Sequence, residues 1–434
     1  MSTSKLEKKI ADRSAMIGII GLGHTGLPLA VAFIESGFSV HGIDVDEAKI
    51  KTLKKNRSYH LDISDETISH INACGRLTLS SNKKIPPDLD CVIISVPTPL
   101  NKTKDPDVSY ILDVIERFSL IIHKDMLIVL QSTTYPGTTR ELVLPILEKS
   151  GLKAGTDFFL SYSPERFDPG NKIYTMKNIP RVVGGITKKC TNMTCALFET
   201  VVDAVVPTKS SESAEMVKLL ENTFRSVNIG LINEVAIMCD RLDLDVWEVI
   251  EASSTKPFGF MTFYPGPGIG GHCIPVDPQY LSWKLRLLNY KARFVELAGE
   301  INSEMPEFVV SRISNLLNDS AKAVKGSKIL LLGMAYKRNS DDYRESPGQD
   351  IMGILQTMGA RIKYHDPYIS ELIIGEKTYK SVPLTARKLS DQDIVVIITD
   401  HDVIDYGHVV KHANLIFDTR NVLRNIRSRK IFTL

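Results

Sequence analysis

Short apolar runs alternate with longer amphipathic stretches along most of this chain. The runs at 16–20, CVIISVPTP (91–99), MLIVLQSTT (126–134), FFLSYSPER (158–166) and RVVGG (181–185) are strand-sized and rich in β-branched residues. Each reads as a strand of an open α/β sheet. From Ser211 the period changes. SESAEMVKLLENTFRSVNIGLINEVAIMCDRLDLD repeats its apolar residues at helical spacing without a proline, which predicts one long helix. After Gly326 the strand–loop–helix–strand pattern returns in SKILLLGMAYKRNSDDYRESPGQDIMGILQTMGARIKYHDP, followed by DIVVIITDH (393–401) and NLIFDTRN (414–421). The expected fold is α/β: two Rossmann-like domains with parallel sheets, joined by a long central helix and a helical dimerisation region. The boundaries suggested are 1–208, 209–318 and 319–434.

The first turn carries the first chemistry. Gly21-Leu22-Gly23-His24-Thr25-Gly26 stands between a predicted strand and a predicted helix, and Asp44 ends the next strand 18 residues after Gly26. In that setting a GxGxxG run predicts a dinucleotide site: Gly21 turns tightly, Gly23 admits a pyrophosphate, and Gly26 allows close helix–strand packing. Asp44 is placed to accept from ribose hydroxyls and to repel a 2′-phosphate, which favours NAD over NADP. In open α/β sheets ligands sit beyond the carboxyl ends of the strands. Val96, Pro97 and Thr98, then Ser132 and Thr133, then Glu165, Arg166 and Phe167 occupy such ends.

On the long helix, Lys218, Asn222 and Arg225 fall at i, i+4 and i+7 and share one face. Further on, FYPGPGIGGHCIPVDPQYL (263–281) crowds glycine and proline around Cys273, with Asp277 four residues later. Such a run reads as a shaped loop that brings backbone close to a ligand beside a thiol. The second α/β pattern lacks a glycine fingerprint. It has a polar loop instead, with Lys337, Arg338, Asp341, Asp342, Arg344 and Glu345, which suits a nucleotide diphosphate carried by a substrate.

Composition narrows the class. A chain of 434 residues with 24% charged residues and a net charge of +2 gives no footprint for nucleic acid or a membrane surface. The N-terminal stretch lacks a signal-peptide apolar core, and no apolar run is long enough to span a bilayer. Six scattered cysteines without a CxxC pair predict a reducing, cytoplasmic setting and no metal site.

The glycine fingerprint, SVPTP, SPER, the lysine–asparagine helix, GGHC and MAYK…DDYRESP occur in order. With these motifs the chain resembles the UDP-glucose/GDP-mannose dehydrogenase family over essentially its whole length. His272 before Cys273, and Val276 where lysine is usual, are similar to the branch acting on UDP-N-acetylhexosamines. SYSPERFDPGN together with HCIPVDP looks most like enzymes that oxidise UDP-N-acetyl-D-glucosamine. UDP-N-acetylmannosamine ranks second, and UDP-N-acetylgalactosamine and UDP-glucose are further alternatives.

The resemblance implies an N-terminal NAD domain, a C-terminal UDP-sugar domain, a homodimer or higher homo-oligomer, and a four-electron oxidation of the sugar C6 alcohol using two NAD. Cys273 would add to the aldehyde, and the resulting thiohemiacetal would lose hydride to leave a thioester that water hydrolyses. Lys218 and Asn222 would hold the C6 oxygen, and Lys218 would also favour the thiolate. Asp277 is the first choice of general base through a water, and Glu165 the second, with Thr133 helping to position the hydrolytic water. Tyr336 and Lys337 match contacts to the UDP-sugar, while Lys49 and Arg344 match contacts to NAD. Phe263, Tyr264, Gly266 and Gly270 are expected along the sugar and uracil. Two rivals stand beside this reading: a two-electron hydroxyacid dehydrogenase, which needs no cysteine, and a nucleotide-sugar-binding regulatory protein with a dead site.

Overall fold

A computed structural model of the chain describes residues 4–60, 62–81, 85–101, 105–168, 171, 173–271 and 274–434. The chain divides into two compact units, one made of 1–221 and 279–290, the other of 222–278 and 291–434.

The first unit is built on an eight-stranded sheet. Its strands are β1 (Met16–Ile20), β2 (Ser39–Ile43), β3 (Leu77–Ser80), β4 (Cys91–Ile94), β5 (Leu127–Leu130), β6 (Phe159–Tyr162), β7 (Arg181–Gly185) and β8 (Val205–Pro207), in the order β3-β2-β1-β4-β5-β6-β7-β8. Every pairing is parallel except β6 with β7. Helices α1 (Lys5–Ala11), α2 (Gly26–Glu35), α3 (Glu47–Lys54), α4 (Asp65–Ala73), α5 (Ser109–Phe118), α6 (Leu144–Glu148) and α7 (Lys188–Phe198) accompany it, with a π-helical turn at Thr139–Val143. Alternate residues of one strand enter two different cores. Ile17, Ile93, Leu127 and Val129 join one cluster, while Ile20, Val92, Ile128 and Leu130 join another. This two-sided burial is why the strands read as continuous apolar runs.

The long helix α8 (Ser211–Leu242) covers all but the last three residues of the predicted stretch and is followed by α9 (Val246–Ser254), α10 (Asp277–Arg286) and α11 (Arg293–Asp319). The second unit carries a five-stranded parallel sheet ordered β10-β9-β13-β14-β15, from β9 (Lys328–Leu332), β10 (Arg361–His365), β13 (Ile394–Ile397), β14 (Ile416–Asp418) and β15 (Ile431–Thr433). A hairpin of β11 (Glu371–Ile374) and β12 (Lys377–Lys380) and helices α12 (Pro347–Thr357), α13 (Ala386–Ser390) and α14 (Tyr406–His412) complete it. Ile329, Leu331, Ile394 and Val396 pack with Ala236, Trp247 and Val309 of the helices, while Leu330, Leu332, Val395 and Ile397 form a separate core on the other face. Among the described residues, no helix is long and apolar enough to cross a membrane.

Candidate active site

The glycine turn follows β1. Gly21 has φ +90°, and a Cβ there would lie 2.1 Å from the carbonyl oxygen of Ser95 beyond β4. A Cβ at Gly26 would lie 1.8 Å from the oxygen of Gly21. Those two glycines are demanded by packing. At Gly23 a Cβ would meet nothing within 4 Å, so its backbone faces open space. Helix α2 starts at Gly26 with no acidic residue in its first turn and no side-chain cap; Thr25 Oγ1 lies 2.5 Å from Ser95 Oγ instead. An uncapped helix start beside a bare backbone suits the diphosphate of NAD.

Asp44 closes β2 and is buried. Its carboxylate accepts from Leu22 N (2.9 Å) and Asp46 N (2.9 Å), and Lys49 Nζ lies 3.4 Å away. Asp44 therefore holds the glycine turn. Two residues that carry no motif clamp the same turn: Tyr59 Oη donates to Leu22 O at 2.5 Å, and His60 Nε2 lies 3.2 Å from His24 O.

The ends of β4, β5 and β6 gather the other predicted residues of this unit. The Ser132 hydroxyl donates to Val96 O (2.8 Å) and accepts from Val96 N (2.9 Å), so it splices two strand ends together. Thr98 O accepts from Tyr280 Oη on α10, next to the exposed Pro97. Thr133 is half-buried. Glu165 is buried and saturated: Oε1 accepts from Arg166 N and Phe167 N, both at 2.8 Å, and Oε2 from Gln131 Nε2 and Arg181 Nη1, both at 3.1 Å. Arg181 also reaches Ser163 Oγ (3.0 Å) and Gln131 Oε1 and lies over the Phe198 ring at 4.5 Å. Nothing in the sequence marks Arg181. It arrives because β7 runs antiparallel to β6, which brings the start of β7 to the carboxyl end of β6. Arg166 is held by Glu221 (2.7 Å) and Pro180 O (2.8 Å). Lys218 is half-buried on α8, one turn after the buried Glu215, whose carboxylate accepts from Gly137 N, Thr139 N and Thr139 Oγ1. Burial pushes the Glu215 carboxyl up to about 7 despite those three bonds.

In the second unit, Asn222 Nδ2 donates to Asp277 Oδ2. Asp277 is buried and occupies the first position of α10. Arg225, on the same helix, is exposed. The glycine–proline loop is organised by Asn233, whose Oδ1 accepts from Gly266 N (3.0 Å) while its amide donates to Asn302 (2.9 Å). The glycines of this loop make room for protein. A Cβ at Gly266 would lie 2.6 Å from the Arg420 guanidinium, at Gly270 2.8 Å from Tyr336 Cβ, and at Gly271 2.7 Å from the Tyr336 ring. Phe263 packs edge-on to Phe224, and Tyr264 stacks with Trp247 at 6.0 Å and 22°. Trp247, Tyr264, Asp400, Arg420 and Asn421 line a cavity of about 230 Å³. Arg420 and Trp247 were not marked by the sequence pattern. Their signals are a lone arginine after a short strand and a lone tryptophan on a helix.

Lys337 Nζ lies 6.0 Å from the Tyr336 ring, and Arg344 is bound to the Asp342 carboxylate through Nε (2.8 Å) and Nη2 (2.6 Å), which raises its pKa. Cys273 and His272 lie outside the described residues.

Three family models match this chain: the UDP-glucose/GDP-mannose dehydrogenase NAD binding domain over residues 15–202, its central domain over 212–304 and its UDP binding domain over 330–425. The chain is 34% identical over 416 residues to Protein CapL of Staphylococcus aureus, covering 94% of this chain and 96% of that one. It is 31% identical to the UDP-N-acetyl-D-glucosamine 6-dehydrogenase of Salmonella typhi over the same shares. A solved structure of a UDP-D-ManNAc dehydrogenase from Pyrococcus horikoshii superposes with a TM-score of 0.85 at 30% identity, covering 96% of this chain and 98% of that one. With a glycine turn fitted to a dinucleotide and all three family domains matched in order, the chain belongs to the UDP-glucose/GDP-mannose dehydrogenase family of NAD-dependent oxidoreductases.

Proposed function

We propose that this protein oxidises the C6 hydroxyl of a UDP-N-acetylhexosamine, foremost UDP-N-acetyl-D-glucosamine, to the corresponding uronate. The observation that carries the reading is the bond between Asn222 and the buried Asp277. It joins the polar face of α8 to the start of α10, four residues after Cys273 in the chain. NAD supplies the hydride acceptor, once for each of two oxidations.

The chain's own residues supply the rest. Asp277 takes the C6 hydroxyl proton through a water, and Asn222 and Lys218 stabilise the oxygen as charge develops on it. The first hydride leaves an aldehyde, which has no alcohol C–H to lose. Addition of the Cys273 thiolate to that carbonyl restores one, and loss of the second hydride gives a thioester. Water cleaves the thioester to the carboxylate and the free thiol. Alcohol, two NAD and one water thus become carboxylate, two NADH and three protons. Glu165 has four hydrogen bonds made within its own unit, and we assign the base role to Asp277.

The test is NADH formed per sugar nucleotide consumed, with UDP-GlcNAc, UDP-ManNAc, UDP-GalNAc and UDP-glucose, for wild type and Cys273→Ala. Two NADH per UDP-GlcNAc, abolished by the substitution, supports the reading. One NADH, or full activity without the thiol, overturns the four-electron mechanism. UDP-ManNAc is the second reading, favoured by the solved Pyrococcus horikoshii relative, and a higher kcat/KM for that sugar would select it.

The protein acts as a homodimer in this proposal. Leu220, Phe224, Leu231, Met238 and Leu242 are exposed on α8 at spacings of four and seven, an apolar stripe of the kind a second copy covers. Light scattering of Leu231→Asp should show monomer where wild type shows dimer.

A further inference from the structure

Asp366 and His401 form a buried pair that the chemistry above does not use. Asp366 follows β10, and His401 stands four residues past β13. Because β10, β9 and β13 are parallel neighbours, both residues flank the segment leaving β9, which carries Tyr336 and Lys337. The side chains of Asp366 and His401 are fully shielded from solvent.

Asp366 Oδ2 accepts from Met334 N (2.6 Å) and Ala335 N (3.0 Å), and His401 Nε2 lies 3.2 Å from it. Oδ1 accepts from Tyr368 N (2.9 Å) and Ile369 N (3.1 Å). Burial alone would push this carboxyl up. The bonds from His401, Tyr368 and Met334 outweigh it and hold the group below the ordinary carboxylate range. His401 Nδ1 accepts the Asn339 N–H at 3.0 Å, which puts the ring proton on Nε2, aimed at Asp366. One imidazole therefore connects the residues before Tyr336 to the residues after Lys337. Thr399 Oγ1 adds a third tie by donating to Ala335 O at 2.7 Å.

We propose that Asp366 and His401 are positioning residues: they fix the 334–339 segment so that Tyr336 and Lys337 are presented to the UDP part of the substrate in one conformation. The inference rests on the reading that this domain binds UDP. Preorganising a binding segment lowers the ordering cost on association, so its loss appears in affinity for UDP rather than in the chemical step.

The test is calorimetric titration of UDP alone into the full-length protein, with steady-state kinetics, for wild type, His401→Phe, His401→Gln and Thr399→Val. His401→Phe should weaken UDP binding by about tenfold or more, because the Asn339 N–H loses its acceptor and the buried Asp366 carboxylate loses one of its donors. The kcat at saturating sugar nucleotide and the KM for NAD should stay within about twofold. His401→Gln, which keeps a donor and an acceptor, should recover most of the affinity, and Thr399→Val should show a smaller loss. Unchanged UDP affinity in His401→Phe, or an equal loss for UDP and NAD, overturns the proposal. Should His401→Phe fail to fold, wild-type affinity in Thr399→Val overturns it instead. A wild type that does not bind UDP overturns the reading of the domain, and the proposal with it.

Discussion

Arg181 Nη1 lies 3.1 Å from Glu165 Oε2, and both side chains are buried. The guanidinium enters from a reversed strand, and Gln131 and two backbone amides saturate the remaining carboxylate positions. A carboxylate so occupied is suited to holding the 165–167 turn. The acidic limb of the kcat–pH profile should therefore survive Glu165→Gln with kcat reduced, whereas Asp277→Asn should remove it. Arg181→Met leaves a buried carboxylate without its counter-charge and should destabilise the protein by about 3 kcal/mol in denaturant titration. A profile that loses its acidic limb only in Glu165→Gln would make Glu165 the base.

The Asn222–Asp277 bond predicts a different signature. Asn222→Ala removes an amide at the proposed C6 oxygen site and one hydrogen-bond partner of Asp277, the proposed base. Its kcat should fall by roughly 10²–10³, the usual cost of one oxyanion donor. Asn222 is only half-buried, so the melting temperature should move by no more than a few degrees. A drop in thermal stability that matches the activity loss would assign Asn222 a packing role.

Glu215 ties α8 to the turn at 137–139, and its folded carboxyl sits at about 7 against an ordinary 4.5. The folded protein therefore binds this proton more tightly than the unfolded chain does. The stability from that proton is fully present below about pH 4.5 and is lost as pH rises through about 7. The melting temperature of wild type should fall relative to Glu215→Gln between pH 5 and pH 8. Parallel curves for the two proteins would remove the linkage.

At the cofactor end, Asp44 holds Leu22 N and stands where a ribose hydroxyl is expected. Asp44→Ala should lower kcat/KM for NAD by about tenfold or more and narrow the preference over NADP, since the charge that repels a 2′-phosphate is gone. An unchanged NAD/NADP ratio would reduce Asp44 to a support of the glycine turn.

Features that depend on neighbours in the chain were legible before the fold was known. Gly21 and Gly26 follow from local backbone geometry, the strands from continuous apolar runs, and α8 from its period and its lack of proline. Lys218 and Asn222 share a face of that helix by spacing alone, and Asp277 was marked by its distance from Cys273. The crowding of glycine and proline at 265–271 announced a shaped loop, yet what the glycines admit is Arg420 and Tyr336, which no local rule foretells.

Arg181, Asn233, Arg420, Asp366 and His401 stand apart from any motif and owe their places to the fold. Arg181 depends on one antiparallel pairing in an otherwise parallel sheet, and Asp366 and His401 on strand order β10-β9-β13, which sets side by side residues 35 apart in the chain. Period and composition determine that strands and helices form and which faces are apolar. Which strand ends become neighbours is decided only by the tertiary pairing, because a buried charge finds its partner across space and not along the chain.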